Sequence, residues 1–89
     1  MPRFYFTVED GECYADDQGL ELPDLMTASS TAMGVLVEHL QTRPGEFWRH
    51  DCLQVHLSDE SGMTLLTLTV SALFSSAVAN HGHGASPAG

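Results

Sequence analysis

The segment Asp16-Asp17-Gln18-Gly19-Leu20-Glu21-Leu22-Pro23-Asp24 constrains the fold most, because the residues before it alternate like a strand and those after it have helical spacing. Upstream, Phe4, Phe6 and Val8 interleave with Arg3, Tyr5, Thr7 and Glu9, the period-two pattern of a strand with one buried and one wetter face. Asp10-Gly11 favours a tight turn with positive φ. Glu12 to Ala15 then forms a short return strand with Cys13 and Ala15 on one face and Tyr14 on the other. In the pivot itself, Asp16 can accept from its own downstream backbone as an Asx-turn, and Gly19 can take up positive φ without steric cost. The segment is therefore expected to kink the chain and launch a helix. Asp59-Glu60-Ser61-Gly62-Met63-Thr64-Leu65 echoes it; one short match reads as recurring turn chemistry and not as a duplication.

Pro23 suits a first helical turn and Asp24 complements the positive end of the helix dipole, so the helix is expected to start close to residue 23. Leu25, Ala28, Ala32, Val35, Leu36 and Leu40 recur at spacings of three and four and form its core stripe. Ser29, Ser30, Thr31 and Gly34 are middling or poor helix formers, so packing must stabilise this helix more than local preference does. Met26, Met33 and Val37 widen the apolar surface, read first as extra core, with a partner-binding ridge as the sharper alternative. Pro44 and Gly45 are expected to end the helix. Glu46 to His50 follows as a loop whose Trp48 either caps the core edge or serves as a recognition aromatic. Leu53, Val55 and Leu57 alternate in a third strand, and Leu66, Leu68 and Val70 in a fourth rich in β-branched residues. After Phe74 the composition falls to Ser, Ala, Gly, His, Asn and Pro, which cannot offset the entropy of ordering.

The chain of 89 residues carries a formal charge of −9, from twelve acids against Arg3, Arg43 and Arg49, with no lysine. That balance argues against nucleic-acid binding, which needs clustered Lys or Arg on phosphates, and against anionic membranes. A basic protein partner or a cation is electrostatically easier to attract. The N-terminus lacks a signal-peptide pattern and no apolar run is long enough to span a bilayer, so the expected location is the cytoplasm, with Cys13 and Cys52 reduced.

No motif for catalysis stands out: there is no G-x-S-x-G elbow, and a lysine-free chain has no P-loop. His50, Cys52 and His56 would share a face of a regular third strand, but His50 and His56 would lie ~20 Å apart at ~3.3 Å per residue, whereas zinc ligands converge within ~2.3 Å of one ion. Only His50 with Cys52, helped by another residue such as Cys13, remains a weak metal candidate, alongside His81 and His83 in the low-complexity end. The acids do not have the spacing of an EF-hand loop and read as a solvated face. No cofactor is expected, and the chain is expected not to be an enzyme.

Met1-Pro2-Arg3-Phe4-Tyr5-Phe6, Asp10-Gly11, Asp16-x-x-Gly19-x-Glu21-Leu22-Pro23-Asp24 and Asp59-Glu60-Ser61-Gly62 together resemble a family of small bacterial proteins classed as a domain of unknown function, over roughly residues 1 to 74. The resemblance implies a compact ββαββ domain. It brings no established activity and no catalytic residues.

The expected architecture is α+β, with residues 1–75 as one ββαββ domain and 76–89 as a flexible tail. Four antiparallel strands in the order second, first, third, fourth carry one helix on one face. The leading functional expectation is a protein-interaction module, a homodimer through the open sheet face or an edge strand being one form of it. Tyr5, Tyr14, Trp48 and His56 are its candidate contacts. The alternatives are an antitoxin-like regulator resembling the partial fold of HicB-type proteins, binding a basic partner, and a weak divalent-metal binder.

Overall fold

A computed structural model describes residues 1–77. The expected tail, apart from its first two residues, and the metal candidates His81 and His83 lie outside the described residues. The elements run β1 (Arg3–Glu9), β2 (Cys13–Tyr14), β3 (Leu20–Glu21), α1 (Leu25–Thr42), α2 (Pro44–His50), β4 (Cys52–Ser58) and β5 (Thr64–Ser71). The sheet order is β2-β1-β4-β5, all neighbours antiparallel, with β3 also pairing β1. The α+β class and the order of the four expected strands agree with the sequence reading, while β3 and α2 are additions to it.

Three local corrections follow from backbone chemistry. Asp24 is the N-cap of α1, its carboxylate accepting from Thr27 N at 2.8 Å, so Pro23 precedes the helix and does not sit inside it. A side chain that satisfies a free first-turn N–H sets the start more firmly than a proline that merely tolerates the turn. At the other end Pro44 stops α1 as expected, because it pushes Arg43 out of the helical region, to φ −136° and ψ 57°. The same proline then occupies the first turn of α2, where its missing N–H costs nothing. Glu46 to His50 is therefore helical and not a loop, and Gly45 lies inside that helix and not in an exit turn. Asp51 closes α2 in the left-handed region, φ 55°.

The core lies between the sheet and the helices. Leu53, Val55 and Leu57 of β4 are fully buried, as are Ala28 and Ala32 of α1, with Phe4, Leu36 and Phe47 nearly so. The small alanines let α1 lie close over β4, with β1 and β5 on either side. Val35 and Leu40 pack at its flank, but Leu25, placed in the stripe by its spacing, is exposed. Trp48 packs edge-on against Phe47, with ring centroids 5.1 Å apart, and against Phe74 at 6.0 Å. It sits half-buried at the core edge.

Candidate interaction surface

The two edges of the sheet are finished differently. On the β1 side, β2 pairs with Val8 and Glu9, and β3 pairs with Arg3 and Phe4. Between them, in the gap of the ladder, the Asp16 carboxylate accepts the Phe6 N–H at 3.2 Å. That edge is closed by backbone at both ends and by a side chain in the middle.

The β5 side is open. Among the described residues β5 pairs only with β4, and its eight residues include no charge and no proline, the devices by which proteins usually blunt a free edge. A register shift where Ser58 meets Thr64 disturbs only its first residues. Its inner face is also incompletely covered: Leu66, Leu68 and Val70 stay half-buried while their neighbours on β4 are fully buried. Beside them on α1, Met26, Met33 and Val37 are 76%, 50% and 42% exposed. They are not extra core: the helix is centred on its alanines over β4, with β1 and β5 flanking it equally, and turns these three outward. Ser29, Ser30, Met33, Leu66 and Leu68 line a mostly apolar groove of about 320 Å³ between α1 and the free edge. The Ser29 hydroxyl donates to Leu25 O at 2.8 Å, so it makes little polar demand on whatever fills the groove. Leu73, just past the strand, is 98% exposed. A free row of backbone N–H and C=O groups beside an apolar slot is the arrangement that accepts an extended peptide as an added strand.

The face of the sheet away from the helices is polar. His56 is opposite Thr7 and Thr67, and Gln54 opposite Glu9 and Thr69. His56 uses both ring nitrogens, with Nδ1 3.0 Å from Thr67 Oγ1 and Nε2 3.1 Å from Glu9 Oε1. Gln54 Nε2 donates to Thr69 Oγ1 at 3.3 Å. Of the four candidate contacts, Tyr5 and His56 are on this face and Trp48 is at the core edge. Tyr14 was expected beside Tyr5, but its pairing with Val8 puts it on the helix side, its ring 6.4 Å from that of His39. The structure thus does not bring the four together.

One buried polar pair joins residues far apart in the sequence. Asp10 is 1% exposed, and His39 Nε2 donates to its Oδ2 at 2.9 Å. Burial alone would raise the Asp10 pKa. The bond and charge of His39 and the Glu12 N–H outweigh it and hold the carboxyl below its ordinary value. Tyr14 donates to Glu12 at 3.0 Å, and this bond, with burial and the charges of Asp10, Glu12 and Glu46, pushes its pKa up. Tyr14 and His39 border a concavity of about 400 Å³ floored by Val8 and Val35. Thr42 lines it too, but its hydroxyl is bonded to Glu38 O at 2.8 Å. The pair thus ties the first hairpin to the last turn of α1. The signals for it were Asp10 in a turn and a histidine three residues after Leu36, both ordinary on their own.

His50 ends α2 and does not extend the strand of Cys52 and His56, because the left-handed Asp51 intervenes. Its ring lies against Gly11. Cys13 and Cys52 are both free thiols. Among the described residues no group of three or more His, Cys, Asp or Glu could hold a metal ion, and no helix is long and apolar enough to cross a membrane.

Comparison with curated proteins and with solved structures returned no match to the chain. The family model described as Domain of unknown function (DUF6894) matches residues 3–71, from the start of β1 to the end of β5. The matched span takes in both sheet edges and the whole of α1, and the chain therefore belongs to the DUF6894 family, a domain of unknown function.

Proposed function

We propose that this chain is a non-enzymatic protein-interaction module that receives an extended segment of its partner on the free edge of β5, with the partner's side chains set into the groove against α1. The carrying observation is that β5 combines an unpaired edge with an apolar face left half-buried, whereas the opposite edge is closed as far as its middle by Asp16. The edge is favoured over the open face because that face already spends His56, Gln54 and Glu9 on bonds to one another and to threonines. The acids Glu12, Asp17 and Glu21 belong to the β2 and β3 side, and Asp59 and Glu60 to the turn before β5, so no residue of β5 itself selects a basic partner.

Site-specific photo-cross-linking in the host cell tests this reading. A photoreactive residue at Met33 or Leu73 is expected to give protein adducts, and one at exposed Asp17 on the closed edge to give few. Absence of adducts at Met33 and Leu73 would overturn the proposal.

A further inference from the structure

Resting on the strand-addition reading, we infer that the segment received by β5 is β5 of a second copy of this chain, the two strands antiparallel about a two-fold axis normal to the sheet. Charge selects this occupant. A chain of −9 repels its own copies wherever acids face each other, but no Asp, Glu, Lys or Arg follows Glu60. Two β5 strands can meet with no like charges opposed. The exposed ridge of α1 beside the groove, Met26, Ser30, Met33 and Val37, is uncharged as well. The helix's one carboxylate, Glu38, borders the Tyr14 concavity instead. A basic partner would find no counter-charge along β5 itself, only Asp59 and Glu60 in the turn before it, so the attraction expected from composition acts mainly elsewhere.

Geometry gives the same occupant. An isologous interface places the same patch on both sides. With the axis normal to the sheet, both α1 helices fall on one face, antiparallel, and the two grooves merge into one apolar trench. Leu66, Leu68 and Met33 of each copy then cover the half-buried strip left by the other. The sheet becomes continuous through β4, β5 and their mates, and no free β5 edge remains. A domain of this size buries a modest fraction of its surface alone, and oligomerisation is a common supplement.

Sedimentation equilibrium on the full chain from micromolar to submillimolar concentration tests the inference, with Met33→Glu and Thr69→Lys as variants. Both positions are exposed, so circular dichroism should confirm that each variant folds. The full chain is expected to reach twice the monomer mass. Each variant sets like charges across the axis and should weaken association about tenfold or more. A full chain that stays monomeric, or a dimer that both variants leave intact, would overturn it. Adducts from Met33 to a different protein, with a monomeric chain, would remove the second copy and leave strand addition standing. A monomer with no adducts at all would remove both.

Discussion

The Asp16 carboxylate and the Phe6 backbone N–H, ten residues apart, meet at 3.2 Å in the middle of the stretch of β1, Tyr5 to Thr7, that neither β2 nor β3 pairs. The other carboxylate oxygen accepts from Gln18 N and Gly19 N, both at 3.1 Å. One side chain thus closes the turn and extends the ladder. Asp16→Ala should cost about 1–3 kcal/mol, the usual penalty for leaving part-buried donors unsatisfied, measured by urea denaturation.

Acid should destabilise the fold through Asp10 and Asp16 together. Burial raises both pKa values, but hydrogen bonds reverse the shift: from His39 and Glu12 N to Asp10, and from Gly19, Phe6 and Gln18 N–H groups to Asp16, aided by the Arg3 charge. Both folded pKa values therefore lie below the ordinary 3.8. On lowering the pH the unfolded chain takes up these protons first, so their contribution is complete above that value and lost as pH falls through the folded pKa values. The urea midpoint should drop in that window, and less steeply in Asp16→Ala. An unchanged slope would contradict the assignment.

Gly11, Gly19 and Gly62 all have positive φ, at 102°, 72° and 88°, yet alanine should rank them differently. At Gly62 a Cβ meets open space, so only the backbone cost of about 1–2 kcal/mol applies. At Gly19 a Cβ would come within 2.9 Å of Phe4 O and 2.8 Å of the Tyr5 ring. At Gly11 it would run into the His50 imidazole. Because the Phe4 carbonyl is held in the sheet while the exposed His50 ring can swing away, Gly19→Ala should be the most damaging of the three by thermal denaturation.

Asp10 and His39 should be coupled. Either one mutated to Ala leaves its buried or nearly buried partner unsatisfied, at about 1–3 kcal/mol. The double variant should cost less than the sum by about 0.5–3 kcal/mol. Additive losses would show that the pair does not act as the anchor between the hairpin and α1.

Sequence patterning carried the strands whose side chains alternate cleanly; the sheet order came from requiring every neighbour to be antiparallel, not from the pattern. It carried less where one residue serves two elements. Pro44 reads as a helix stop, and it also starts α2, which spacing over seven residues could not reveal. β3 is two residues long, below what any period can register, and exists because Asp16 and Gly19 fold the chain back onto β1. Tyr14 went to the wrong face because a one-residue difference in register reverses every side chain. The Met26, Met33 and Val37 ridge was visible as surplus apolar surface, but only the seating of α1 on its alanines over β4 decides that it faces out. The Asp10–His39 pair joins residues 29 apart, and no local pattern announces it.

Residue-resolved amide hydrogen exchange at low and high protein concentration tests the central claim, that β5 is a docking edge filled by a second β5, most directly. Protection of the Thr64–Ser71 amides that face away from β4 should rise with concentration, while the amides of β2 and β3 stay unchanged. Exchange along β5 that is independent of concentration, or protection that grows equally at both edges, would contradict it.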